Sequence, residues 1–283
     1  MRYWNCPDLK FRIFMIEGGR RCIDDGGMET KGSHRPLIVL VLSLFLREDS
    51  ALGQAIESPW HARCGQIVAV IAKTWESPAG GMICLHRGQR GWEVHQEWTP
   101  VTVGRAGLGL GVGLHAATLK GPEKREGDKR APAGIFPLEF AFGTKDFSPA
   151  TFLYRRTTRD DFWVDDVRSN FYNQWVRIND PGIKPDWSSA ETLRRADGIY
   201  DYAIVVGHNR LRVIPGRGSA IFMHAWYGPG VPTIGCTAME KSRVKSLIEW
   251  LELDRHPVLI QGPEELIPVL ELPEEVRTIL RGG

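Results

Sequence analysis

No stretch of the 283-residue chain stays apolar over the roughly 18 residues that a membrane-crossing helix requires, which excludes a helical integral membrane protein. Charge of one sign is equally scarce. Against 36 Lys and Arg stand 34 Asp and Glu, a net charge of +2, so no basic surplus exists to hold a nucleic acid and none calls for a strongly acidic partner. Five cysteines are too few to staple a disulfide scaffold. What remains is ordinary globular composition, 42% hydrophobic and 25% charged with 31 Gly and 18 Pro, enough for one large domain or two small ones.

Residues 37–46 read LIVLVLSLFL, with Lys31 and Arg35 before them and small Gly53 and Ala55 after them at a spacing that signal peptidase accepts. Residues 28–55 are therefore expected to be a signal peptide, with residues 1–27 an extension upstream of the true start; the competing reading is a buried helix or strand. Cleavage after Ala55 leaves a nearly neutral mature chain, residues 56–283, destined for the periplasm or cell wall. Only Cys64, Cys84 and Cys236 survive it. A hairpin turning at residues 77–81 sets Cys84 opposite about residue 73, too far from Cys64 for a bridge. A lone exported thiol at Cys236 is a liability unless it is used.

From residue 66 onward, short β-type runs alternate with Gly and Pro: QIVAVIAKTW, GGMICLH, GWEVHQEW, GIFPLEFAFG, YAIVVGHN and SAIFMHAW. The absence of long helices between them favours an antiparallel, mainly β architecture. Residues 239–251 form the clear amphipathic helix, with Val244, Leu247, Ile248 and Leu251 on one face. A short helix at residues 274–280 follows Pro273. The glycines of residues 104–113 lack both the dinucleotide and the phosphate-loop spacing, so a tight turn between strands is expected. Asp160, Asp161, Asp165 and Asp166 lack the spacing of a calcium loop and read as a solvated turn.

Chemistry concentrates at His224 and Cys236. Extended, the connection between them would hold them more than about 30 Å apart, and Gly228, Pro229, Gly230 and Pro232 supply the turns that double it back. Thr237-Ala238-Met239-Glu240 reads as a capping box, which would set Cys236 at the positive end of the helix. Making a thiol mostly anionic at pH 7 takes about 3.4 kcal/mol. A helix terminus supplies at best about 2 kcal/mol, so a charged His224 is expected to provide the rest and to serve as base and then acid. The N–H groups of Gly235 and Cys236 are candidate oxyanion donors. Thr233, Trp226 and Tyr227 flank the pair as candidate substrate contacts, and His208 is the competing base.

GSAIFMHAW followed by GPGVPTIGCTAM resembles the His-to-Gly-Cys signature of the L,D-transpeptidase catalytic, or YkuD, domain. Residues 126–138, EGDKRAPAGIFPL, are similar to the family's Thr-Pro-x-Gly-x-Phe segment, with Ala131 in place of Thr and Pro132, Gly134 and Phe136 matching. The resemblance spans about residues 66–262. It implies a YkuD-like β-sandwich or barrel with one amphipathic helix after the catalytic Cys, within a single catalytic domain at residues 56–283. It implies Cys236 as nucleophile, His224 as general base and no metal or cofactor. The activity it implies is peptidoglycan L,D-transpeptidation: attack on the third residue of a tetrapeptide stem, loss of the terminal D-alanine, a thioester, and transfer to an amine of a second stem. Peptidoglycan stem peptides are then the partners, with roles in cell-wall biogenesis and cell shape. Release of the thioester by water, making a carboxypeptidase or amidase, and a non-reacting wall-binding module are the competing readings. Family members commonly carry Ser, His and Arg where this chain has Thr233, Ile234 and Ala238, and Gly or Ser where it has Ala225. Arg155, Arg156 and Arg217 are the candidates to replace the missing Arg.

Overall fold

The structure, a computed structural model, describes residues 60–282, and the leader expected at residues 1–55 lies outside them. Strands β1 (Gln66–Ala72), β2 (Ala79–Gly88) and β3 (Gly91–Thr102) form an antiparallel meander. Then come β4 (Leu108–Leu110), β5 (Ala131–Gly143), β6 (Tyr154–Arg156), β7 (Asp161–Val164), β8 (Trp175–Arg177) and β9 (Ala190–Thr192). The last third holds β10 (Ala203–Val206), β11 (Phe222–Ala225), β12 (Thr237–Met239), helix α1 (Lys241–Trp250), β13 (Val258–Pro263) and helix α2 (Glu274–Arg281).

The chain is mainly β, as expected, and its principal sheet closes. Strands β10, β11, β12, β3, β2, β1, β13 and β5 pair in that order, and β10 pairs back onto β5. A closed ring leaves no unpaired edge along these strands, the hazard an open sheet must otherwise cover. β1 lies between β2 and a parallel partner, β13, and is buried along nearly its whole length, which is why QIVAVIA shows no polar alternation. Helix α1 packs against β10 and β11 and buries Val244, Leu247 and Ile248 in the main core, the face that the sequence periodicity predicts.

Three local expectations are overturned by the fold. Cys84 pairs with Val68 rather than residue 73, because the turn opens at Thr74–Ser77 and Gly80 and Gly81 join β2. A Cβ on Gly80 would lie 2.3 Å from the Ile71 carbonyl oxygen, so these glycines serve close strand approach, not the turn. Cys64 and Cys84 are both buried and free. Thr237 to Glu240 is not a capping box: Thr237–Met239 is strand β12, the Thr237 hydroxyl donates to Gln261 Oε1 (2.6 Å), and Glu240 occupies the N-cap position without a side-chain bond. Ladder pairing and complete burial outweigh local capping preference, so a strand separates Cys236 from the helix terminus.

The aspartates are the third case. Strands β8, β7 and β9 form a second small sheet inserted between β6 and β10. Asp161 is fully buried there and accepts hydrogen bonds from Arg177, Trp175 and Thr158. Burial pushes its carboxyl up, yet these donors together hold it below the usual range. Asp166 accepts from Ser188 and Arg168. Two residues read as a solvated turn are thus buried anchors of the insert, since donors from β8 and the Ser188 loop are brought to them only by folding.

Candidate active site

Phe222 and His224 alternate onto one face of β11. β12 runs parallel to β11 with Met223 opposite Thr237 and His224 opposite Ala238, so Cys236, just before β12, falls beside Phe222 on that same face. Two residues of strand rise and one strand spacing put the His224 and Cys236 backbones about 8 Å apart, within reach of their side chains. The Phe222 N–H donates to Cys236 Sγ at 3.3 Å, and the thiol donates to the Ala220 carbonyl at 3.5 Å. The doubling back expected of the Gly/Pro loop occurs: the Val231 N–H donates to the Gly228 carbonyl and Gly230 takes φ +78°.

His224, Gly235 and Cys236 line one cavity of about 440 Å³ together with Thr233, Trp226 and Tyr227. Thr233 binds the Cys236 loop to itself, donating its hydroxyl to the Cys236 carbonyl (2.6 Å) and accepting the Gly235 N–H (3.1 Å). The Gly235 amide is therefore engaged within the loop. Gly235 itself holds φ +153°, a conformation that L side chains rarely adopt.

Burial governs the electrostatics. It pushes the Cys236 thiol up to about 12, against the Phe222 N–H that favours the thiolate, while Glu191 opposes ionisation and Lys124 assists it. It pushes His224 down to about 4. Burial thus favours a thiol and a neutral imidazole over the ion pair expected from the sequence, and the helix terminus lies beyond β12. The Nδ1 of His224 lies 2.7 Å from the Ala225 carbonyl. A carbonyl can only accept, so Nδ1 carries the proton and Nε2 holds the free lone pair. That backbone bond does what no side chain at Ala225 can do.

His208 is a structural histidine. Its Nδ1 accepts the Val112 N–H at 3.2 Å, its Nε2 donates to the Arg217 carbonyl at 2.8 Å, and burial lowers it to about 3. In the unfolded chain both imidazoles titrate near 6.5. Below that pH the unfolded chain binds protons that the folded chain refuses down to about 3 and 4, so stability is full above pH 6.5 and falls as pH drops through this window. Each imidazole contributes up to about 1.4 kcal/mol per pH unit. Urea midpoints measured at about pH 7.5 and pH 5 should differ accordingly, and equal midpoints would contradict two neutral buried imidazoles.

The family model for YkuD, the L,D-transpeptidase catalytic domain, matches residues 78–260, a span that includes both His224 and Cys236. The chain belongs to the YkuD family. No curated protein matches it. Among solved structures, the helical cell shape determining protein Pgp2 from Campylobacter jejuni aligns at 13% identity with a TM-score of 0.35, over 70% of this chain and 48% of that one. The chain thus spans about half the length of that protein.

Within this YkuD domain β9 and the loop after it supply residues that the sequence did not single out. Glu191 on β9, Arg195, Ile199 and Tyr200 line the cavity, and the Tyr200 ring meets His224 edge to face at 5.3 Å. No spacing could have found them, since they lie on β9 and in the loop that follows it, more than twenty residues upstream of His224, and carry no periodic signature. Of the proposed substitutes for the missing Arg, none lines the cavity. Arg155 lies over the Phe140 and Trp175 rings, Arg156 faces Asp146, and Arg217 faces Glu123. Among the described residues no helix is long and apolar enough to cross a membrane.

Proposed function

We propose that the chain is a peptidoglycan L,D-transpeptidase in which Cys236 is the nucleophile and His224 the general base. The supporting observation is the parallel pairing of β11 with β12, which sets imidazole and thiol on one face of one cavity. As the sulfur attacks the carbonyl of the third stem residue, Nε2 of His224 takes the thiol proton, so no free thiolate need accumulate in the buried site. The Cys236 N–H donates to the oxyanion, the Gly235 amide being held by Thr233. The tetrahedral intermediate collapses, His224 returns the proton to the departing amine of D-alanine, and a thioester remains. An amine of a second stem attacks the thioester, passes a proton to His224 and releases the thiol with formation of a new amide. Residues 56–283 act as one catalytic domain, exported behind the leader to the periplasm or cell wall.

Incubating the purified protein with tetrapeptide muropeptides and weighing the products tests this reading. Cross-linked dimers with release of D-alanine are expected. Tripeptide alone would assign the thioester to water and make the protein a carboxypeptidase, and unchanged substrate would leave a wall-binding module.

A further inference from the structure

Three cations line the cavity, and their partners differ. Arg195 is claimed by two carboxylates: its Nη1 donates to Glu191 Oε1 at 3.0 Å and its Nε to Asp197 Oδ2 at 3.0 Å, with the Tyr227 hydroxyl also on Asp197 at 2.7 Å. That cluster carries a net negative charge and has no affinity to spare for another anion. Lys124 is buried, and its ammonium donates to Asp128 Oδ1 and to the Arg125 carbonyl, both at 2.6 Å. Arg105 alone of the three has no carboxylate within ion-pair distance among the described residues, and it is exposed.

The backbone of Arg105 is fastened to the catalytic loop. Its N–H donates to the Thr233 carbonyl at 2.8 Å, and the neighbouring Gly104 bridges to Thr233. Thr233 in turn holds the Cys236 carbonyl at 2.6 Å. A guanidinium with no internal acid, mounted on a turn that is fixed relative to the nucleophile, is suited to a planar carboxylate, which it can grip with two parallel N–H bonds.

We propose that Arg105 is the specificity-determining residue that recognises the terminal carboxylate of the acyl donor, making the cavity selective for peptides that end in a free carboxylate over neutral analogues. This rests on the reading of Cys236 as the reacting thiol.

The test compares anionic iodoacetate with neutral iodoacetamide as probes of Cys236 in the wild-type protein, Arg105→Gln, Arg105→Lys and Cys236→Ala, with labelling followed by intact mass. In parallel, kcat/KM is measured for a tetrapeptide donor and its C-terminal carboxamide. Arg105→Gln is expected to lower both anion-to-neutral ratios by about tenfold, as for loss of a charge-assisted contact, and Arg105→Lys to recover part of the preference. Ratios unchanged in Arg105→Gln, or rates that fall equally with charged and neutral reagents, would overturn the proposal while leaving the transpeptidase reading intact. A wild-type protein that turns over neither donor and whose Cys236 stays unlabelled even at alkaline pH would overturn both.

Discussion

Cys236→Ala is expected to lower cross-link formation by at least about 10⁴-fold, since no acyl-enzyme can form without the sulfur. Neither remaining described thiol can take over. Cys64 and Cys84 lie in the main core, outside the cavity, and burial pushes each up to about 12. The variant should fold. Cys236 sits in the second apolar cluster among Phe222, Tyr200 and Trp163, and removing one sulfur there costs on the order of 1 kcal/mol through the small cavity it leaves. The check is product mass from muropeptides together with a thermal melt. A folded Cys236→Ala protein that still makes dimers would remove the nucleophile assignment, and one that still binds sacculi but makes none would separate binding from reaction.

At His224 the expected loss is about 10²–10⁴-fold in acylation rate for His224→Ala, the usual worth of a positioned base. The reason is electrostatic. With the thiol pushed up to about 12, thiolate is scarce at pH 7, so attack depends on proton removal as the bond forms. The imidazole, down at about 4, is already unprotonated at neutral pH and offers Nε2. Two pH profiles follow. Acylation by the wild-type protein should hold as pH falls through 6.5 and decline only towards about 4, where His224 takes a proton. Alkylation of Cys236 by iodoacetamide should rise with pH towards about 12, whereas an imidazolium–thiolate pair would give a plateau across neutral pH. A flat alkylation profile across neutral pH would show that the resting site is ionised.

Much of the ring was legible because its signals are local. The runs at residues 66–72, 203–206 and 222–225 are short, apolar and bounded by turn residues, and each is a strand. The α1 periodicity was equally plain, since a helix that covers a sheet must bury one face. The errors share a cause. Thr237 to Glu240 satisfies a helix-capping pattern, Gly80 and Gly81 satisfy a turn pattern, and Asp161 and Asp166 look solvated; in each case a partner distant in sequence, Gln261, Ile71, Arg177 or Ser188, decides otherwise.

Sequence alone determined the chemistry on offer: a thiol after a glycine, an imidazole twelve residues earlier, and a Gly/Pro loop able to return the chain. Only the tertiary structure decided how that chemistry is poised. The parallel pairing of β11 with β12 sets the two groups on one face, and β9 with the loop after it brings Glu191, Arg195 and Tyr200 to the cavity that encloses them. The protonation state follows from that enclosure, because the cost of carrying charge depends on how much water the surrounding elements exclude, and no local stretch of residues specifies it.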